Sequence, residues 1–341
     1  MLIPATAAVS APRTVIDPMD ARVLYLSRAD VEAVGLSMGT LIDLLERAFH
    51  EKGEGHVEMP PKPGIHTQPD AFIHAMPAWI PAMEASGIKW VSGYPANQSL
   101  GLPYISGLLI LNDPATGIPT AIMDCTWITA YRTGGATALA ARYLARADSE
   151  TAGILACGVQ GRTNLIALAE VFPLRRVYAF DTVPEVQERF VRDMSERLGI
   201  EIVGVTEPRA AVEPCDIVVT SGPILLHPHP AIQTGWVRPG TFASAVDFDS
   251  YWQAGALAEF DKVATDDRAQ FDYYREHGYF GQTPDPYADL GEIVTGRKPG
   301  RERDDERTMA INLGLALDDI AVAPEIVRRA IEHGIGTWLP L

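Results

Sequence analysis

Residues 154–162 read ILACGVQGR, a turn placed between an apolar run with the pattern of a strand and a run with the period of a helix. Small residues stand at Ala156, Gly158 and Gly161. In a dinucleotide-binding turn the first lets the chain reverse tightly, the second lets backbone approach a pyrophosphate, and the third lets helix pack closely on strand. The chain has alanine at the first position. The backbone of Gly158, Val159, Gln160 and Gly161 would then face phosphate, with the positive end of the helix dipole behind it. Asp181 closes the next apolar run, VYAFD, 181 − 161 = 20 residues beyond the last glycine. A carboxylate there accepts from both ribose hydroxyls and opposes a 2′-phosphate, so NAD(H) is expected in preference to NADP(H). Arg162 and Arg175 or Arg176 keep NADP(H) open by offering that phosphate a partner, and Asp181 could instead cap the following turn. Thr220 and Ser221, at the end of DIVVTSG, are expected to border the same cofactor.

Other chemistries find less support. His227 and His229 in LLHPHP lack a third ligand nearby and read as a proline-bounded loop, so no metal is expected. Cys125, Cys157 and Cys215 are too few and too widely spaced for a zinc knuckle or a disulfide framework, and read as core thiols in a reducing compartment. Nothing resembles a nucleophilic triad. Lys plus Arg minus Asp plus Glu is 28 − 44 = −16, a charge that repels nucleic acid and anionic lipid while leaving room for a cationic pocket. No run reaches the ~20 apolar residues of a membrane helix, and the first residues lack a signal-peptide pattern, so a cytoplasmic protein is expected.

These groups need elements to hold them. The first third reads as an α+β unit: a strand ending at Ser27, two helices, then AFIHAMPAWIP, GIKWVSGYP and ISGLLILNDPATGIPTAIMD as strands, the last a hairpin turning at DPATG. RTGGATALAARYLAR reads as a helix with Thr133 near its first turn. From Thr151 strand and helix alternate, as in a doubly wound parallel sheet. Residues 270–307 are polar and are expected to cover a sheet edge or the cleft mouth, and the final long helix to return to the first unit.

GIKWVSGYPANQSLGLP, IPTAIMDCTWITAYRTGGATALAARYLAR, ACGVQGR and NLGLALDD together resemble the ornithine cyclodeaminase and mu-crystallin family, from about Arg22 onward. The resemblance implies a Rossmann domain over residues 147–315, and an α+β substrate and dimerisation domain from residues 1–146 with 316–341. It also implies a homodimer. Lys89 matches a lysine that contacts the substrate carboxylate and polarises the reacting centre. Arg132 matches the arginine that clamps this carboxylate, which a planar fork does bidentately. Thr133 and the glycines after it would meet cofactor phosphates, and Asn312 the nicotinamide, unless Asn312 serves packing. Lys62 stands where the family commonly has another carboxylate-binding arginine. His74 stands where ornithine cyclodeaminase has a glutamate for the substrate's amine, unless it is an ordinary core histidine. Asp249 matches the aspartate over the substrate nitrogen. Asp247, where the family usually has glycine, could share that side of the chain, so the choice between the two carboxylates stays open.

The resemblance thus implies an NAD(H)-linked oxidoreductase that reduces a small carboxylate-bearing imino acid to an amino acid, or the reverse. A dicarboxylate such as iminosuccinate would suit Lys62, Lys89, Arg132 and His74 together. Ring-forming deamination of the ornithine cyclodeaminase type, with catalytic NAD, is the first alternative. A binding protein like mu-crystallin is the second.

Overall fold

Ser27 marks the first change from strand to helix: its hydroxyl accepts from the Asp30 amide while Asp30 accepts from the Ser27 amide, closing a capping box. The computed structural model describes residues 22–68 and 70–341, so the segment before Arg22 lies outside the described residues. After β1 (Arg22–Leu26) come α1 (Arg28–Ala33) and α2 (Met38–Gly53), then strands β2 (Gly64–Ile65), β3 (Phe72–Ile80), β4 (Ala85–Gly93), β5 (Ile105–Asn112) and β6 (Pro119–Asp124). The hairpin between β5 and β6 turns where Asp113 accepts from the amides of Ala115 and Thr116.

Next is α3 (Thr126–Leu144), followed by β7 (Thr151–Leu155), α4 (Val159–Val171), β8 (Arg176–Phe180), α5 (Pro184–Leu198), β9 (Glu201–Gly204), β10 (Ile217–Thr220) and β11 (Phe242–Ala245). The rest comprises α6 (Ala254–Leu257), β12 (Lys262–Thr265), α7 (Arg268–Glu276), β13 (Ala288–Asp289), α8 (Leu290–Val294), β14 (Thr308–Ile311), α9 (Ala316–His333) and β15 (Thr337–Pro340).

Two sheets result. One has the order β15-β1-β6-β5-β4-β3-β2 and is mostly antiparallel; α9 crosses to it and packs on β3 and β4. The other is wholly parallel, with the order β13-β12-β14-β11-β10-β7-β8-β9. Its central strands are buried at every residue, as a sheet covered on both faces requires. This is the α/β doubly wound architecture with an added α+β layer. No helix among the described residues is long and apolar enough to cross a membrane.

Three local readings need correction. The helix expected to open at the RTGG stretch begins earlier, at Thr126, whose amide is taken by Asp124, so Thr133 lies two turns inside it and donates to the Thr129 carbonyl. The polar stretch over 270–307 does cover the sheet edge, through β13 against β12, but it is not plain loop: it contains α8 and all of α7 beyond its first two residues. Beyond α9 the chain adds β15, antiparallel to β1, which the composition of those few residues did not signal.

The α3–α4 contact depends on Gly134. A methyl group there would lie 2.4 Å from the Thr163 carbonyl oxygen, in backbone that cannot swing aside. Gly134→Ala should therefore lower stability by about 2–3 kcal/mol in urea unfolding, whereas Gly281→Ala, with nothing within 4 Å, should be close to neutral. Equal stability of the two variants would contradict this packing.

Candidate active site

Because β7, β8, β10, β11, β12 and β14 run parallel, the residues that follow each strand collect along one edge of the sheet. Across that edge lie Asp181 after β8, the glycine turn after β7, Ser221 after β10, Asp247 and Asp249 after β11, Asn312 and Gly314 after β14, and Asp266 after β12. At ~4.8 Å between strands, β8 and β14 are about 19 Å apart, enough to bind an extended dinucleotide across the crevice.

The glycine turn fits that group. Ala156, at the first position, takes φ +76°, a left-handed conformation that glycine adopts without strain. A side chain on Gly161 would meet the Ala156 carbonyl oxygen at 2.3 Å, so the third position must stay bare. A side chain on Gly158 would meet nothing within 4 Å, and no side chain caps α4 there, which leaves its first amides to a ligand. Asp181 accepts from the Cys157 amide at 2.7 Å and from the Val183 amide at 2.9 Å, so it both joins the turn and caps its own loop.

Two of the arginines considered for a 2′-phosphate are placed elsewhere, and the third stays beside the turn on α4. Arg175 and Arg176 sit at the start of β8, the opposite end of the strand from Asp181, and pair with Glu150 and Glu201. Arg162 points to Asp193 at 3.2 Å. The glycines after Thr133 serve packing: Gly134 meets α4, and a side chain on Gly135 would strike Leu41 and Leu45.

At the other end of the edge, three cations from distant parts of the chain share one buried cluster. Lys89 on β4 reaches Asp319 Oδ2 at 2.5 Å and Thr129 Oγ1 at 3.4 Å. Arg132 on α3 reaches Asp318 Oδ2 at 3.1 Å and, through Nε, Asp319 Oδ1 at 3.5 Å. Lys62 donates to the carbonyls of Leu313 at 2.7 Å and Gly314 at 3.1 Å, beneath the Tyr274 ring. Gly314 binds the group together, since a side chain there would lie 2.7 Å from Arg132. The ion pairs are not all aligned as hydrogen bonds: among the described residues, Arg132 Nε, Asp318 Oδ1 and both Asp319 oxygens lack a well-directed partner.

Burial is the largest influence on Lys89, Lys62, Arg132, Asp318 and Asp266. It lowers Lys89, with Asp319 opposing, and brings Lys62 down to about 7, helped by the charge of Arg132. It also works against Arg132, but Asp319 and Asp318 outweigh it and raise that guanidinium. Burial raises Asp318 to about 6, against the pull of Arg132, and Asp266 to about 7, with Asp318 adding to the rise. His74 stacks on Phe72 with ring centroids 4.3 Å apart. Burial, then the charge of Lys62, lowers it to about 3, so its imidazole is neutral and faces the cations.

Asp247 and Asp249 differ in what holds them. Asp247 is fully buried, accepting from Thr220 Oγ1 at 2.7 Å and the Gly222 amide at 3.2 Å, and burial raises it to about 7. Thr220 in turn accepts from Trp252 Nε1, so its hydroxyl is engaged inside the sheet. Asp249 is half-buried, and Thr283 donates to its Oδ2 at 2.9 Å; burial raises its pKa. Ser221 donates to the Ala156 carbonyl at 3.1 Å, and Asn312 donates to Ser244 and Thr137, leaving its Oδ1 without a partner. Asp318 and Asp319 were not singled out from sequence, although they stand in NLGLALDD; the signal was two adjacent acids at the start of a helix whose next residues, Ile320–Ala323, are apolar and buried.

The Ornithine cyclodeaminase/mu-crystallin family model matches residues 22–334. The nodulation efficiency protein NfeD of Rhizobium meliloti is 34% identical over 328 residues, covering 94% of this chain and 99% of its own length. The Δ1-pyrroline-2-carboxylate reductase of Thermococcus litoralis, solved with NADH and L-proline, is 36% identical with a TM-score of 0.84, over 92% of this chain and 99% of that one. An archaeal alanine dehydrogenase dimer solved with NAD is 32% identical with a TM-score of 0.84, over 94% and 100%. With the match running through both sheets and the edge between them, this protein belongs to the ornithine cyclodeaminase/mu-crystallin family.

Proposed function

We propose that the protein is an NAD(H)-dependent oxidoreductase that reduces a small α-imino acid to the α-amino acid, or runs that step in reverse. The carrying observation is that Lys89 and Arg132 meet at one Asp319 carboxylate, on the sheet edge that also holds the glycine turn. The reductase and dehydrogenase relatives, one solved with NADH and L-proline and the other with NAD, support it.

When bound, NAD(H) supplies the hydride exchanged with the substrate carbon, and the protein supplies alignment. Gly158, Val159, Gln160 and Gly161 would hold its phosphates and Asp181 its ribose, with Thr133, Thr220, Ser221 and Asn312 bordering it. Arg132 and Lys89 grip the α-carboxylate from two directions, which orients the carbon–nitrogen bond. Asp249 holds the charge of the iminium nitrogen in reduction and can take the amine's proton in oxidation. Lys62, drawn to about 7 with no carboxylate at hydrogen-bond distance among the described residues, gains its proton back beside an anion and suits a second carboxylate. His74, neutral, offers a cationic substrate side chain at most one acceptor nitrogen and no opposing charge. An iminosuccinate-like dicarboxylate is thus the finer reading.

Imino acids formed from 2-oxo acids and amines, together with Δ1-pyrroline-2-carboxylate, should consume NADH stoichiometrically when followed by absorbance. Ammonia release from ornithine without net NADH change would mean ring-forming deamination instead. Tight NADH binding with no turnover across the panel would mean a binding protein. Asp181→Ala should shift the preference for NADH over NADPH by about tenfold or more, and unchanged selectivity would place the ribose contact elsewhere.

The assembly is read as a homodimer through the outer face of the mixed sheet. Tyr25, Ile122 and Ile110 are paired across β1, β6 and β5, and Leu108, two residues from Ile110 on the same face, is paired with Trp90, all opposite Lys89; Tyr25, Leu108 and Trp90 are exposed in a single chain. A second copy suits that face, and the alanine dehydrogenase relative is a dimer. Light scattering should give twice the chain mass, and Trp90→Glu with Leu108→Glu should halve it; a wild-type monomer would overturn the assignment. Cys125, Cys157 and Cys215 are buried free thiols, in keeping with a cytoplasmic enzyme.

A further inference from the structure

We infer that Asp319 is the positioning residue of this site, holding Lys89 charged and aimed at the same point as Arg132. The inference rests on the reading of Lys89 and Arg132 as the carboxylate clamp.

Asp319 has no exposed surface, and each of its oxygens lies toward a different cation: Oδ2 is 2.5 Å from Lys89 and Oδ1 is 3.5 Å from Arg132 Nε. The two cations come from β4 and α3, and Asp319 stands in the first turn of α9, so one carboxylate fixes the relation of three separate elements. Asp318 beside it has a different task. It takes Arg132 Nη1 and accepts from the Leu315 amide, and so anchors α9. Around Lys89 the other charged or titratable groups are Arg132 and Cys125 on or beside α3, Asp318 on α9, and Lys62 and His74, which feel its charge or share the cluster. Burial and then Arg132 pull the Lys89 ammonium down, and the carboxylate at 2.5 Å is the nearest group that opposes them.

The test compares Asp319→Asn, Asp319→Glu, Asp318→Asn and Lys89→Ala in the full enzyme, with NADH and Δ1-pyrroline-2-carboxylate, across pH. NADH fluorescence and circular dichroism report cofactor binding and folding. Asp319→Asn should move the alkaline limb of kcat/KM to lower pH by about one unit or more, because the ammonium loses its partner. Asp319→Glu should restore most of that shift, and Asp318→Asn should raise KM without moving the limb, since a guanidinium stays charged throughout. An unmoved limb in Asp319→Asn, with Lys89→Ala crippled, would overturn the role of Asp319 and leave the clamp standing. Wild-type kinetics in Lys89→Ala, or no turnover of the substrate by the wild type, would overturn the clamp and this inference with it. Should Asp319→Asn fail to fold, loss of rescue in Asp319→Glu at every pH would count against positioning.

Discussion

Lys89→Ala should lower kcat/KM for the preferred imino acid by about a thousandfold, while the dissociation constant for NADH changes far less. The side chain has no exposure and reaches its cluster from the middle of β4, paired with Met76 on one side and Leu109 on the other. Removing it takes away a charge that would be worth little in solvent and much in a dry cavity, where the carboxylate and the developing charge at the reacting carbon both lean on it. NADH fluorescence titration separates this loss from misfolding, since the glycine turn and Asp181 lie at the far end of the sheet edge. Wild-type turnover in the variant would remove Lys89 from the reaction.

The parts of this arrangement that were legible in the sequence are those written locally. ILACGVQGR announces its own geometry, because a strand, three small residues and a helix in that order have few other uses. The alternation of buried strands and helices after Thr151 gave the parallel sheet, and a parallel sheet places its loops on one edge. The start of α3 was not legible because the group that begins the helix is Asp124, the last residue of the preceding strand and two residues ahead of Thr126. Arg175 and Arg176 looked close to Asp181 by number, but a five-residue strand separates Arg176 from it by roughly 16 Å.

The ionic partners were invisible for another reason. Asp319 follows Lys89 by 319 − 89 = 230 residues and Arg132 by 187, and nothing in a motif of small and acidic residues says which cation it meets. Only the return of α9 across the first sheet makes that contact. The same return explains why the site could be assigned to neither part of the chain alone: its cofactor turn belongs to the parallel sheet, its cations to the mixed sheet and α3, and its acids are divided between the loops of the parallel sheet and α9.

Arg132→Met should cost about 3–5 kcal/mol of folding stability near neutral pH, because Asp318 and Asp319 are both fully buried and would lose a guanidinium shared between them. The loss has a pH dependence whose sign follows from Asp318. Burial already holds its carboxyl at about 6 in the folded protein, above the ordinary value near 4, with Arg132 opposing that rise. A carboxyl whose folded pKa is raised binds more protons folded than unfolded, so stability is highest below the unfolded pKa and falls as pH rises through the folded one. Asp266, raised to about 7, contributes in the same direction. Without Arg132 the carboxyl of Asp318 rises further, and the window of falling stability extends to higher pH. Urea unfolding should therefore show the variant closer to wild type at pH 5 than at pH 8, by about 1–2 kcal/mol, since each unit of added shift is worth about 1.4 kcal/mol. Arg132→Lys should recover part of the stability but less of the turnover, because an ammonium returns the charge without the fork. Equal destabilisation at both pH values would show that the two aspartates find another partner when the arginine is gone, and that the cluster is not the closed set of charges its geometry describes.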